Sequence, residues 1–214
     1  SGALTNSATP TISGSAPTGS TVTVTVGGAT YTTTATGGNW SVNLQSATPA
    51  SGSLTLSLNG SNPVSVTATS TAGVVSTATT QSLVFDTTAP NAPAISIVTD
   101  NVGSNTGGLA TGATTDDTDV LVRVSLTGTN AVTGDSVRLY DGASAIGVAA
   151  TLSAQDISNG YIDIQSGTLT TGTTYAIGAK ITDAAGNTSS GATAHSITVD
   201  TAAPNAPSIS SGAL

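Results

Sequence analysis

The residues best suited to chemistry in this sequence are its carboxylates, and all eleven of them belong to Asp. Carboxylate and amide oxygens are ligands that Ca²⁺ prefers, and it takes six to eight oxygens at a time. Asp100, Asp116 and Asp117 lie in one loop-rich stretch, and Asp183 lies four residues before Asn187. Calcium binding is therefore the first chemistry to consider, although no helix–loop–helix calcium pattern is present.

Catalytic chemistry finds little support in the residue types. The single histidine, His195, is expected on the inner face of the last strand with Ile197 and Val199, and no nucleophile-elbow pattern accompanies it. Asp116 and Asp117 have no Trp, Glu or His near them in the sequence, so they do not indicate a glycosidase pair. Cysteine is absent, which excludes disulfides and cysteine-bound metals. We predict that the protein is not an enzyme.

The charge balance excludes two classes of partner. The net charge is −8, and the basic residues are only three: Arg123, Arg138 and Lys180. Three basic residues cannot follow a phosphate backbone or form a polybasic membrane patch, so we expect neither nucleic-acid binding nor membrane insertion. Because 37% of the residues are hydrophobic, a folded chain is favoured over a disordered one.

Short alternating strands are predicted to position these residues in the first half of the chain. Val22, Val24 and Val26 alternate with Thr, which is typical of a half-buried strand. Gly27-Gly28 then forms a hairpin signal. Further strands are predicted at residues 29–35, 39–44, 54–58, 64–69 and 74–85, with Trp40 in the core.

The second half has the same plan. It begins at Ile95 and Ile97, and alternation predicts inner faces formed by Val120, Val122, Val124, Val137, Leu139, Ile162, Ile164, Tyr175, Ile177, Ala179, Ile181, Ile197 and Val199. Residues 153–156 could begin one short helical turn. About seven strands in each half, separated by Gly, Asn and Asp turns, indicate an all-β chain of two tandem immunoglobulin-like β-sandwiches.

An internal repeat sets the predicted boundaries. Asp86-Thr-Thr-Ala-Pro-Asn-Ala-Pro93 recurs as Asp200-Thr-Ala-Ala-Pro-Asn-Ala-Pro207, and Ser1-Gly-Ala-Leu4 recurs as Ser211-Gly-Ala-Leu214. We predict module one at residues 1–86, module two at 87–200, and a linker with the start of the next repeat at 201–214. On this interpretation the chain is an internal segment of a longer array. Module one lacks its lead-in, so a vacant edge is expected beside its first strand, near residues 9–15.

Three motifs carry a family resemblance: Asp86–Pro93, Leu152-Ser-Ala-Gln-Asp-Ile-Ser-Asn-Gly-Tyr161, and Thr182-Asp-Ala-Ala-Gly-Asn-Thr-Ser189. With them the chain resembles the bacterial immunoglobulin-like tandem repeats of giant secreted adhesins and biofilm-associated surface proteins. The resemblance implies an extracellular structural extender on the bacterial cell surface. In this role the chain would project a distal binding domain for adhesion, with Ca²⁺ as a structural cofactor that rigidifies the module junctions.

Immunoglobulin-like topology divides the candidate calcium ligands between the two ends of module two. One predicted group contains Asp86, Asp183 and Asn187, with Asp135 as a further member. The other contains Asp100, Asp116, Asp117 and Asp200. Carboxylates brought together repel one another unless a cation lies among them. The alternative is that these Asp residues are solvated turn and cap residues.

Two other functions stay open at this stage. A module of this class can bind a carbohydrate or peptide through loops at one end, and the Thr rows of the strands prompt an ice-binding hypothesis. All four Tyr residues fall within predicted strands and not in loops, which favours the extender. The expected partners are neighbouring repeats of the same chain, and the chain itself is expected to be a monomer.

Overall fold

The computed structural model describes residues 2–104 and 106–209. It divides the chain into two compact units, residues 1–89 with 184–187 and residues 90–183 with 188–214. The boundary predicted from the sequence, after Asp86, lies three residues before the division at Ala89. The repeated Ser211–Leu214 lies outside the described residues.

The first unit contains seven strands among its described residues. They are β1 (Ala3–Thr5), β2 (Thr11–Ser15), β3 (Thr21–Val26), β4 (Ala29–Thr34), β5 (Asn39–Asn43), β6 (Gly60–Thr69) and β7 (Thr79–Phe85). A five-stranded sheet has the order β1-β7-β6-β3-β4, and a two-stranded sheet pairs β2 with β5. The unit is a sandwich of these two sheets around one core.

The Val–Thr alternation of β3 builds this core as predicted. Val22, Val24 and Val26 are at most 1% exposed and pack with Tyr31 and Trp40, while the intervening Thr residues lie on the outer face. The outer Thr residues meet hydroxyl side chains in register, since β3 lies between β4 and β6. Such cross-strand Thr pairs are ordinary sheet surface.

Two strand predictions in this unit are wrong. Residues 54–58 form no strand, because the buried Asn62 holds them with its side chain: Ser57 N–H donates to Asn62 Oδ1 at 2.7 Å, and Asn62 Nδ2 donates to Ser57 O. The last strand begins at Thr79 and not at residue 74, and Val74 and Val75 are exposed.

The second unit contains nine strands and one short helix among its described residues. They are β8 (Ala94–Asp100), β9 (Gly107–Leu109), β10 (Ala113–Thr115), β11 (Leu121–Ser125), β12 (Ser136–Asp141), β13 (Ser144–Thr151), α1 (Ala154–Asn159), β14 (Tyr161–Gln165), β15 (Thr173–Thr182) and β16 (His195–Val199). One sheet has the order β10-β16-β15-β12-β13 and the other β14-β11-β8-β9. The predicted inner-face residues other than Ile95 and Ile97 are buried between these sheets.

A bulge in β8 changes which residues of this strand face the core. Ile95 is opposite Val124 and Ile97 is opposite Arg123, so the register shifts by one residue between these pairs. Ile97 is therefore exposed, while Val98 and Asp100 are buried. In the described residues no helix is long and apolar enough to cross a membrane.

Candidate functional site

Thr115 organises a polar cluster at one end of the second unit. Its hydroxyl donates to Asp100 Oδ2 at 2.6 Å and accepts the N–H of Asp117 at 3.1 Å. Its carbonyl accepts the N–H of Asp200 at 2.8 Å. The exposed Asp116 lies against Gly103, where an added Cβ would collide with the carboxylate. Thr115 therefore connects Asp100, Asp117 and the main chain of Asp200, while Asp116 lies beside Gly103.

The two central carboxylates of this Thr115 cluster are buried, and each of their four oxygens accepts one hydrogen bond. Asp100 is 3% exposed, and its second oxygen accepts the N–H of Val102. Asp117 is 2% exposed and accepts the N–H groups of Asn101 at 3.1 Å and Asp119 at 2.8 Å. Among the described residues neither carboxylate pairs with a basic side chain. Buried carboxylates without a cation are costly unless hydrogen bonds or a metal compensate them.

The other predicted group has members in both units. Asp86 and Asn187 meet within the first unit, where Asn187 Nδ2 donates to the Asp86 carbonyl at 3.0 Å. The carboxylate of Asp86 accepts the N–H of Thr88. In the second unit, Asp135 immediately precedes and Asp183 immediately follows the Ser136–Thr182 strand pair. Asp135 is buried and accepts the N–H of Val132 at 2.9 Å, so it stabilises its own turn.

The calcium ligands do not form a complete site in this arrangement. In the part of the chain that the structure describes, no three acidic or histidine side chains are placed to hold a metal ion. The oxygens of Asp100 and Asp117 suit a hard cation by chemistry, but two carboxylates are fewer than the ligands that Ca²⁺ takes. Calcium binding therefore stays a prediction.

Two residues of the Thr115 cluster were not among the predicted ligands. Thr115 is its centre, and Asp119 links it to a neighbouring loop because its Oδ1 accepts the N–H of Gly167 at 2.9 Å. The Asp-X-Asp spacing of Asp117 and Asp119 was a usable signal, since Asp side chains commonly accept the N–H two residues later.

Two of the three basic side chains lie over Tyr rings on the outer sheet faces. Arg123 donates to both oxygens of Asp163 at 2.8 Å and lies 3.8 Å above the Tyr161 ring. The bond to Asp163 raises the pKa of Arg123. Lys180 lies 4.8 Å from the Tyr140 ring. These pairs are cross-strand surface contacts and not a loop cluster that would bind a ligand.

His195 is half-buried and lies on the same face of β16 as the buried Ile197 and Val199. Its Nδ1 lies 3.4 Å from the hydroxyl of Thr111 in the second unit. Its Nε2 is buried and has no hydrogen-bond partner among the described residues. The residue is a structural part of the strand in this arrangement.

Comparison with known proteins supports the fold and part of the resemblance. Residues 1–87 match the family model of a bacterial Ig-like domain, so a bacterial Ig-like module is supported there. The fibronectin(III)-like modules of Clostridium thermocellum CbhA superpose with a TM-score of 0.50 at 12% identity, covering 93% of this chain and 90% of theirs. Chicken CNTN1 FN1-FN3 domains give 0.48 at 14% identity, covering 94% of this chain and 63% of theirs. No curated protein sequence matches the chain.

Proposed function

We propose that this chain is a load-bearing extender segment of a repetitive bacterial cell-surface adhesin. Its role is to hold a distal binding domain away from the cell for adhesion or biofilm formation. The Ig-like module, the tandem arrangement of two sandwiches and the repeated linker support this function. Its partners are neighbouring repeats of the same polypeptide, and its location is extracellular.

The observation that carries the proposal is the pairing of an early strand with the last strand in each unit. In the first unit β1 runs parallel to β7, with Ala3 opposite Leu83 and Thr5 opposite Phe85. Tension pulls β1 toward its N-terminus and β7 toward its C-terminus. Because the strands are parallel, these opposite forces slide them past one another. The hydrogen bonds between them then resist together instead of opening one by one.

The second unit also pairs an early strand in parallel with its last strand. Strand β10 runs parallel to β16, with Ala113 opposite Ile197 and Thr115 opposite Val199. The N–H of Asp200 adds a bond to Thr115 O, just as the N–H of Asp86 adds a bond to Thr5 O in the first unit. Asp86 and Asp200 of the repeated linker therefore occupy equivalent places at the ends of the parallel strand pairs β1–β7 and β10–β16. We refer to each of these pairs as a clamp.

Calcium is the second element of the proposal. Asp100 and Asp117 would supply carboxylate oxygens, with Asp116 and Asp200 nearby to complete the set. A bound cation would neutralise two buried carboxylates that have no basic partner. Its contribution would be to stabilise the folded second unit by mass action.

Single-molecule stretching of the full chain tests the clamp. Each unit should unfold in its own step. At about 3.6 Å per residue, the 83 residues from β1 to β7 have a stretched length of about 300 Å, and the 106 residues from β8 to β16 have a stretched length of about 380 Å. The unfolding step of each unit should release this length minus the length of the folded unit.

Thr5→Pro is the informative variant, because proline in β1 disrupts pairing with β7. We expect a lower unfolding force for the step of the first unit and an unchanged force for the step of the second unit. The matched control is Thr71→Pro, which lies at the second position of the turn closed by the bond from Gly73 N–H to Ser70 O, where proline is favoured. Equal unfolding forces for Thr5→Pro and wild type would overturn the load-bearing role.

A further inference from the structure

The free edge of β2 is the unpaired feature that distinguishes the first unit from the second. Among the described residues, strand β2 pairs with β5 alone, whereas the corresponding strand β11 lies between β14 and β8. The correspondence follows from the register, since Ile12 is opposite Val42 as Val122 is opposite Ile164. In the same register Gly14 of β2 corresponds to Val124 of β11.

Main-chain groups on this edge are available for a further strand. Leu44 N–H donates to Pro10 O, and Ala16 N–H donates to Gly38 O. The main-chain N–H and C=O groups of the even-numbered residues of β2 therefore point toward β5. The main-chain groups of the odd-numbered residues Thr11 and Ser13 therefore face the open side, and both residues are exposed. An open strand edge of this kind is a template for pairing with another chain.

A groove of mixed polarity runs beside the free edge. A cavity of about 330 Å³ lies between β2 and the opposite sheet, lined by Ile12, Gly14, Trp40, Val64 and Val66 and by the polar residues Ser13, Ser15, Thr79, Thr80 and Gln81. Trp40 is buried and packs against Gly14, where an added Cβ would collide with the indole, and its Nε1 donates to Ser15 O at 3.3 Å. A strand added to β2 would place alternate side chains in this groove.

The second unit shows which sequence fills the equivalent place. The segment Pro90-Asn-Ala-Pro93 packs on that unit with both prolines buried, and Asn91 Nδ2 donates to Gly128 O at 2.9 Å. Ile95 follows, lies opposite Val124 and packs on the core. The same sequence, with Ser208 in place of Ala94, recurs at 204–209, where the residues are exposed, form no strand, and leave Ile209 84% exposed.

We propose that residues 204–209 of a second copy of this chain add as a strand to the free edge of β2. By correspondence with Ile95 and Val124, Ile209 of the second copy lies opposite Gly14 and covers Trp40. The contact joins different surfaces of the two molecules, so association is head-to-tail and does not close by symmetry. This is strand addition, in which main-chain bonds give affinity and one side-chain pocket gives specificity.

The association is weak because the added segment is short and must be ordered. We expect a dissociation constant of about 0.1–1 mM between separate chains. A covalent connection raises the effective concentration, so the same contact is far more populated when the segment is joined to the N-terminus of the unit it pairs with.

Nuclear magnetic resonance and sedimentation of the full chain test the proposal. The chain has one Trp, so a single indole N–H signal reports on the groove. This signal and the mean mass should both change as the concentration rises from about 0.01 to 1 mM. Ser13→Pro should abolish both changes, because it removes a main-chain N–H on the free edge without affecting β5. Ser13→Ala should retain them.

Variants of the added segment give a second test. Ile209→Asp should abolish self-association, while Ser208→Asp, which adds the same charge at a position corresponding to the exposed Ala94, should retain it. A chain carrying an additional copy of residues 200–210 ahead of Ser1 should fill its own edge. It should not self-associate, and its first unit should melt about 5–15 °C higher.

Two results would overturn the inference. One is an N-terminal extension that leaves both the melting temperature and the indole signal of the first unit unchanged. The other is an indole signal that depends on Ile209 but not on protein concentration, because the occupant would then be the segment of the same molecule.

Discussion

Asp117→Ala is the substitution that most directly tests the Thr115 cluster. It removes the acceptors of two main-chain donors, Asn101 N–H and Asp119 N–H, and it leaves both donors without a protein partner. An unsatisfied buried donor costs about 1–3 kcal/mol, and these part-buried donors fall in the lower half of that range. We therefore expect a loss of about 2–3 kcal/mol, which lowers the melting temperature of the second unit by about 8–12 °C.

Calorimetry of the full chain is the assay, with the transition of the first unit as an internal reference. Asp116→Ala is the matched control, because it removes the same charge from the neighbouring position, where the carboxylate is exposed. It should shift the second transition by less than about 2 °C. If the second unit of Asp117→Ala melts within 2 °C of that of Asp116→Ala, the hydrogen bonds of Asp117 do not stabilise the second unit.

The same experiment separates calcium binding from hydrogen bonding. With a dissociation constant of about 0.1–1 mM, 10 mM Ca²⁺ stabilises the second unit by about 1.4–2.7 kcal/mol. We therefore expect its melting temperature to rise by about 5–10 °C, and EDTA to reverse the rise. Asp117→Ala should lose this response. If neither Ca²⁺ nor EDTA moves the wild-type transition, calcium is not a cofactor, whatever the difference between the two Asp variants.

Two further substitutions test the core and the helix cap. Trp40→Ala should lower the first calorimetric transition by about 12 °C or more, because truncating a buried Trp costs about 3–5 kcal/mol; a shift below 5 °C would contradict a core role. Ser153→Ala should lower the second transition by about 2–6 °C, because it removes the N-cap of α1. The hydroxyl and N–H of Ser153 lower the pKa of Asp156, so the part of this stabilisation that depends on the Asp156 carboxylate is complete above about pH 3.9 and is lost as the pH falls through the lower folded-state value. The difference in melting temperature between the two chains should therefore decrease at low pH without vanishing, because Asp156 N–H still donates to the Ser153 hydroxyl; a difference that does not change with pH would contradict the role of the hydroxyl at Asp156.

Strict alternation made most of the strands predictable. In β3 the valines and threonines alternate without interruption, so the buried face follows from the period of two. The single bulge in β8 breaks that rule, and no local signal marks it. It changes the face of every later residue in the strand, which is why Ile97 is exposed and Asp100 is buried.

The candidate site was less predictable because its contacts join distant residues. Asp100, Asp117 and the main chain of Asp200 all bond to Thr115, but no three acidic or histidine side chains among the described residues are placed to hold a metal ion. The sequence did not reveal that main-chain N–H groups already engage the buried carboxylates. Whether an Asp accepts hydrogen bonds from its own turn or ligates a cation depends on loop conformation, and an Asp residue in a turn is compatible with both.

The repeated linker explains why composition alone misjudges its role. Prolines and polar residues predict an exposed stiff spacer, and residues 204–207 are exposed. The first copy has the same Pro-Asn-Ala-Pro sequence, yet Pro90 and Pro93 are buried and Asn91 binds Thr129 and Gly128. Residues 90–93 are thus a structural element of the second unit, and the stability of that unit includes their contacts.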